Sequence, residues 1–215
     1  MPGYYPAYLN IEGRRCIVVG GGKIAERKVE SLLECGAVVT VISPHLSPVL
    51  QKLCDSSQIE VVRRRYLQGD LARAFVVVAA TDDESVNARV SGEALENGAL
   101  VNVADDPKRS NFIVPAVIRR GDLVVSISTG GRSPALAKKL RGELERTLVP
   151  EYESLLSLVA EVREQFKCSG KNIDPGAWQE TMDAELLDLL RRGLVEQARA
   201  RLISSLRRYG AAADV

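Results

Sequence analysis

The sequence predicts an α/β protein: a doubly wound parallel sheet, then a small α+β segment and an α-helical C-terminal region. Three observations carry that expectation. Short apolar strand patterns alternate with helical patterns up to about residue 104. One of those strands, "FVVVAA" (75–80), is apolar throughout, as a parallel strand covered on both faces should be. After residue 112 the rhythm changes: two strands share a tight turn, and beyond Pro150 the pattern is helical.

In order, Ile11–Val19 reads as the first strand, and Lys23–Cys35 as an amphipathic helix stopped by Gly36. Val38–Ile42 is the second strand, followed by "SPHLSP" and a helix through Leu50–Cys54. The β-branched "IEVVRRRY" (59–66) gives a third strand and "FVVVAA" a fourth. Thr81-Asp82-Asp83 offers an N-cap to a helix around Glu84–Asn97, ended by Gly98, and "ALVNVA" (99–104) supplies the fifth strand. Strands at 112–119 and 122–128 meet at the turn Arg120-Gly121-Asp122. A long helix then starts with Ser133 as N-cap and Pro134 at its first position. From Pro150 on, the helical pattern is broken once, at "CSGKNIDPGAW" (168–178).

With 215 residues, 46% hydrophobic and 27% charged, the chain has the composition of an ordinary globular protein. A formal net charge of +1 provides no global field to recruit nucleic acid or an anionic membrane. The longest apolar runs, such as Phe75–Ala80, are too short to span a bilayer, and "MPGYYPAYLN" lacks the basic-then-apolar pattern of a signal peptide. Cysteines at 16, 35, 54 and 168 form no CxxC pair, and His45 is the only histidine. The expectation is reduced, mostly buried thiols in a cytoplasmic protein without a metal site.

Gly20-Gly21-Gly22-Lys23-Ile24-Ala25 satisfies G-x-G-x-x-G/A between a strand and a helix, the context the motif needs. It makes the first domain a Rossmann-like doubly wound parallel sheet. Gly20 permits the tight turn, Gly22 lets a diphosphate approach the main chain, and Ala25 keeps helix and strand close. The N–H groups of Lys23 and Ile24 then face the phosphates. The second strand ends in Ser43, Pro44 and His45 where an acid often binds the ribose, so the residues leave NAD and NADP open. Ser43 and the backbone remain available to the ribose, and His45 reads as a solvent-side loop residue near the adenosine. Thr81 and Asn102, toward the ends of the fourth and fifth strands, complete the expected cofactor set.

"VNVADDPKRSNFIVPA" (101–116) follows the strand whose carboxyl end should face the cofactor crevice. Asn102, Asp105 and Asp106 are placed at its mouth. Alone, the two acids would read as turn caps before Pro107.

The quoted segments, together with "YYPAYLNIEGRRCIVVGGGKIAERKVESLLECGAVVTVISP", "VVAATDDESVNARVS" and "IRRGDLVVSISTGGRSPALAKKLRGELE", resemble precorrin-2 dehydrogenase, the dehydrogenase/chelatase part of siroheme synthase. The resemblance runs from about residue 4 to 150 and is looser in the tail. It implies NAD-dependent oxidation of precorrin-2 to sirohydrochlorin, with Fe2+ insertion added in some members. It also implies a homodimer built partly through the segment after residue 113, and it places the family's key carboxylate on Asp105. The expected domains are 1–112 for NAD(P) binding, 113–149 for dimerisation and substrate, and 150–215 as a helical region.

The residues agree with a substrate rich in carboxylates. Between Pro107 and Arg141 stand Lys108, Arg109, Arg119, Arg120, Arg132, Lys138, Lys139 and Arg141, against the single acid Asp122. Lys108, Arg109 and Arg132 flank the proposed crevice and are the candidate carboxylate contacts, with Ser128 and Thr129 as candidate hydrogen-bond partners. Asp105 is the candidate general base. A chelatase resting on a histidine pair is excluded by the lone His45, so metal insertion would lean on Asp105 or Asp106. A reading from another class is an NAD(H)-sensing regulator without catalysis; it has no need of the basic window or of Asp105. A small-alcohol dehydrogenase would want a Tyr/Lys pair or zinc ligands, and neither is suitably arranged.

Overall fold

The structure, a computed structural model, describes residues 3–170 and 173–212. It divides into two compact units, Met1–Val114 with Gly130–Arg132, and Pro115–Thr129 with Ser133–Val215.

The first unit runs β1 (Arg15–Val19), α1 (Lys23–Leu33), β2 (Val38–Ile42), α2 (Pro48–Asp55), β3 (Glu60–Val62), β4 (Val76–Ala79), α3 (Glu84–Glu96) and β5 (Leu100–Val103). All five strands are parallel, in the order β3-β2-β1-β4-β5. From β3 at one edge the chain returns to pair β4 with β1, so the carboxyl ends of β1 and β4 form a topological switch point. The first strand begins at Arg15 rather than Ile11. Glu12-Gly13 turn the chain there, with Gly13 at φ +65 and the Arg14 N–H donating to the Ile11 carbonyl at 3.0 Å.

Strand alternation feeds two cores, one on each face of the sheet. Ile17, Val19, Val77, Ala79, Val101 and Val103 pack with Val90 and Ala94 of α3. Cys16, Val18, Val39, Val41, Val76 and Val78 pack with Ala25 and Val29 of α1 and Leu50 of α2. The loop between β3 and β4 is pinned by Glu93, 4% exposed on α3. Its carboxylate accepts from the Tyr66 hydroxyl and from the Gly69 and Leu71 N–H groups.

In the second unit β6 (Ala116–Arg120) and β7 (Leu123–Ile127) form an antiparallel hairpin. Arg120 pairs with Leu123, so the turn narrows to Gly121-Asp122, with Gly121 at φ +54. Four helices follow α4 (Pro134–Thr147): α5 (Glu151–Cys168), α6 (Pro175–Thr181), α7 (Ala184–Arg191) and α8 (Val195–Ala212). Ser133 caps α4 as expected, accepting from the Leu136 N–H at 3.2 Å. The tail is broken three times rather than once. Asp174 and Asp183 cap α6 and α7, and Gly193 at φ +72 separates α7 from α8. Residues 171 and 172 of the first break lie outside the described residues. Leu155, Leu158, Val162, Phe166, Leu186, Leu190, Leu202 and Leu206 make the helical core, with Phe166 and Trp178 edge to face at 6.5 Å.

The thiols differ from expectation, since only Cys16 is buried while Cys35 and Cys168 are exposed and Cys54 is half-buried. Position in the fold decides this: Cys16 sits inside a covered strand, whereas Cys168 is the last residue of α5. Among the described residues no helix is long and apolar enough to cross a membrane.

Candidate active site

The glycine turn is shaped by what crowds it. Gly20 has φ +127, and a Cβ there would lie 2.2 Å from the Ala80 carbonyl oxygen. A Cβ on Gly21 would lie 1.9 Å from the His45 carbonyl oxygen and 2.6 Å from Ser43 Oγ. At Gly22, by contrast, a Cβ would meet nothing within 4 Å. Gly22 is also the N-cap of α1, and no side chain bonds the first-turn N–H groups. Lys23 and Ile24 are exposed there, while Ala25 is fully buried against the sheet. Bare amides, a helix N-terminus and open space fit a diphosphate. Sequence reasoning counted Gly21 among the bare amides at 20–22 but gave it no steric role, although it has the tightest surroundings of the three.

The loop after β2 is stapled to this turn. Ser43, 7% exposed, donates its hydroxyl to the His45 carbonyl at 2.6 Å, which leaves its oxygen only as an acceptor. Pro44 and His45 are exposed at the loop surface. Ser47 was not foreseen. Its N–H donates to the Gly21 carbonyl at 2.8 Å, its hydroxyl donates to Glu26 Oε2 at 2.8 Å, and it caps α2 by accepting from the Leu50 N–H. The first link holds the turn. The second draws an acidic side chain of the first helical turn sideways into a hydrogen bond.

After β4, the Thr81 hydroxyl lies 2.8 Å from Asn87 Oδ1 and 3.1 Å from the Asp83 carbonyl. The buried Asn87 returns a bond from Nδ2 to the Thr81 carbonyl at 2.9 Å. Asp83 is the N-cap of α3.

The two acids after β5 part company. Asp106 caps the short 3-10 turn Pro107–Arg109 by accepting from the Lys108 and Arg109 N–H groups, and it forms an ion pair with the Arg109 side chain. Partial desolvation opposes ionisation of Asp106, but the Arg109 guanidinium and these N–H groups hold its carboxyl below the usual range. The cap reading therefore describes Asp106, and Arg109 has its charge engaged within the turn. Asp105 is exposed at the tip of the turn closed by the Asp106 N–H on the Val103 carbonyl, with φ +59. Among the described residues its carboxylate has no hydrogen-bond partner. A left-handed backbone at a side chain other than glycine costs energy, and a charged group kept there is a functional candidate.

Asn102 is only 9% exposed; it accepts from Lys28 Nζ at 3.2 Å and donates to the Phe112 carbonyl at 3.2 Å. It is a brace beneath the turn rather than a residue at the crevice mouth. The segment Gly130–Arg132 groups with the first unit, where Gly131 lies beside Pro107. Lys108 and Arg132 are exposed, with no ion pair among the described residues. Of the candidate residues, Gly20, Gly22, Lys23, Ile24, Ser43, Pro44, His45, Thr81, Asn102, Asp105, Lys108, Arg109 and Arg132 belong to the first unit. Ser128 and Thr129 belong to the second. Ser128 is exposed, and the Thr129 hydroxyl accepts from the Ser133 N–H at 3.1 Å at the start of α4.

Comparison with known proteins agrees with this geometry. The NAD(P)-binding family model matches residues 7–116, and a second model, the central part of a sirohaem biosynthesis protein, matches residues 120–147. The solved structure of SirC, a precorrin-2 dehydrogenase, superposes with a TM-score of 0.75 at 30% identity, covering 96% of this chain and 100% of that one. The chain belongs to the precorrin-2 dehydrogenase family. Curated relatives include the siroheme synthase of Nitrosococcus oceani, 37% identical over 206 residues, and that of Chromobacterium violaceum, 34% identical over 210 residues. These alignments cover 94% and 97% of this chain, but the chain spans only 44% and 45% of those proteins. Within the precorrin-2 dehydrogenase family framework, the NAD(P)-binding match contains the glycine turn, Ser47, Thr81, Asn102, Asp105, Lys108 and Arg109. Ser128, Thr129 and Arg132 fall in the central match.

Proposed function

We propose that the protein oxidises precorrin-2 to sirohydrochlorin with NAD+, as a cytoplasmic homodimer. The observation that carries this reading is the pairing of two features at the carboxyl ends of one parallel sheet. One is an uncapped glycine turn open to a diphosphate; the other is an exposed carboxylate, Asp105, held in a left-handed turn. Support comes also from SirC, a precorrin-2 dehydrogenase matched over its full length, and from the siroheme synthases matched over part of theirs.

The oxidation removes a hydride and a proton from the macrocycle. NAD+ bound at the glycine turn supplies the hydride acceptor. Gly20, Gly22 and the Lys23 and Ile24 amides would hold its diphosphate, and Ser43, Pro44, His45, Thr81 and Asn102 would line or brace the remainder of that site. Asp105 takes the proton as general base. Lys108 and Arg132 receive substrate carboxylates, with Arg109 fixing the turn through Asp106 and Ser128 and Thr129 adding hydrogen bonds. Nucleotide binding is the role of 1–112 and dimerisation that of 113–149, with 150–215 a helical region. Leu136, Leu140 and Leu144 support the second assignment: they recur every four residues along α4 and are 47%, 36% and 38% exposed.

The test is to mix the protein with precorrin-2 and NAD+ or NADP+ and to follow the absorption spectrum. Appearance of sirohydrochlorin with NAD+ supports the reading. Dinucleotide binding with no turnover overturns it in favour of a sensor. Fe2+ insertion, which would use Asp105 to take pyrrole protons, is tested separately with purified sirohydrochlorin. An acceleration over the spontaneous rate assigns it, and none removes it.

A further inference from the structure

The outer edge of β5 is closed by side chains rather than by a sixth strand. Among the described residues β5 pairs only with β4, and an edge strand leaves a row of N–H and C=O groups without ladder partners. The returning chain supplies them. Asn111 Oδ1 accepts from the Val101 N–H at 2.7 Å, and Ser110 Oγ accepts from the Val103 N–H at 2.9 Å. The Asn111 bonds run to Ala99 and Val101, whereas those of Ser110 reach further. Its one hydroxyl proton goes to the Asp106 carbonyl at 2.9 Å, the nearer of two acceptors, the other being the Val103 carbonyl at 3.4 Å. One oxygen is therefore bonded to both ends of the turn 103–106, whose third residue is Asp105 at φ +59. The backbone alone closes that turn with a single bond, from the Asp106 N–H to the Val103 carbonyl at 3.2 Å. A positive φ at the third position of a turn favours glycine, so an aspartate there needs support from outside the turn. The neighbouring Pro107–Arg109 has supports of its own: the Asp106 cap, and the buried Ser91 hydroxyl, which donates to the Arg109 carbonyl at 2.6 Å.

We infer that Ser110 is the positioning residue for Asp105: by tying Val103 to Asp106 through one oxygen, it holds the left-handed turn that presents the carboxylate to the substrate proton. The inference rests on the reading of Asp105 as the base. A reacting group displaced by about 1 Å loses on the order of a hundred-fold in rate, so the firmness of this turn is a kinetic quantity. Ser110 touches neither substrate nor dinucleotide in this role and acts only through the turn.

Steady-state kinetics on a double-mutant cycle test it. In Ser110→Ala, kcat for precorrin-2 oxidation falls roughly ten- to hundred-fold, while KM for precorrin-2 and the calorimetric affinity for NAD+ stay within about two-fold. Ser110→Thr keeps the hydroxyl and restores kcat; the extended backbone at this position, φ -109 and ψ 136, suits a β-branched residue. In an Asp105→Ala background, Ser110→Ala costs nothing further, because the group it places is gone. A Ser110→Ala turnover within about two-fold of wild type overturns the inference, and so does an equal loss in both backgrounds. Amide exchange needs neither substrate nor cofactor: the Val103 N–H exchanges faster in Ser110→Ala, whereas the Val101 N–H, held by Asn111, does not. Unchanged protection of Val103 also overturns the inference. If Ser110→Ala folds poorly, Ser110→Cys repeats the comparison with a similar shape and a weaker hydrogen bond. An active wild type with an indifferent Ser110→Ala removes Ser110 alone, whereas a wild type inert toward precorrin-2 and NAD+ removes the activity and this role with it.

Discussion

The carbonyl oxygen of His45 fills the space that a side chain on Gly21 would need, 1.9 Å from the ideal Cβ position. Gly22, one residue on, faces open space. The two glycines therefore answer different demands, one from the protein and one from its ligand. Gly21→Ala must push the 43–47 loop away from the turn, at a cost of about 1–3 kcal/mol, and Tm falls by several degrees. Gly22→Ala leaves Tm close to wild type but weakens NAD+ binding. Thermal melts paired with calorimetric titration check both; equal behaviour of the two variants would refute the distinction.

At Asp105 conformation and charge can be separated. Asp105→Ala loses roughly 10²–10⁴-fold in kcat, the usual contribution of a general base. Asp105→Gly loses as much, but it also removes the left-handed penalty at φ +59, so its stability is no lower than wild type. Steady-state kinetics and urea unfolding on the two variants are the measurements. A turnover within a few-fold of wild type would remove Asp105 from the chemistry.

Asp70 gives the first unit an acid-sensitive contact. The Arg64 guanidinium bonds both of its oxygens at 2.7 Å, and the Leu67 N–H adds a third bond at 2.8 Å. Arg64 first, and then that N–H against some desolvation, hold the carboxyl below its ordinary value. A depressed carboxyl stabilises the fold above its unfolded pKa, and the contribution disappears as pH falls through the folded one. Asp70→Asn should therefore cost about 0.5–1 kcal/mol at neutral pH, limited by the solvent around Arg64, with the difference starting to shrink near pH about 4 and gone only once the pH is below the depressed folded value. Urea titrations across pH read this directly.

Thiol labelling should divide the cysteines. Burial pushes the Cys16 thiol up to about 11, and the residue has no exposed surface. In native protein at mildly alkaline pH, Cys35 and Cys168 react with a disulfide reagent, and Cys16 reacts only after denaturant is added. Mass spectrometry of labelled peptides identifies which sulfur has reacted.

Much of the sheet could be read because parallel strands are apolar on both faces, so β2 and β4 stand out as short runs without needing tertiary information. The candidate loop after β5 was legible in position, and the family resemblance singled out Asp105. Only the structure shows that Asp106 caps the turn while Asp105 does not. Lys28 and Ser47 were illegible for a different reason. Lys28 meets its partner 74 residues away and Ser47 meets Glu26 across 21, and no local pattern encodes either meeting. The extra breaks in the tail were a missed local signal, since Asp183 and Gly193 are ordinary start and stop residues overlooked within a leucine-rich stretch.

Ser47 joins three elements through one side chain and one amide: the glycine turn, the first turn of α1 and the start of α2. A dinucleotide seated on the turn would thus slow deuterium uptake beyond the amides it touches, from residues 22–25 into 43–51. That spread would make the loop a remote gauge of occupancy. Ser47→Ala, which keeps the amide link to Gly21 but loses the side-chain links to Glu26 and Leu50, would weaken that spread without abolishing it.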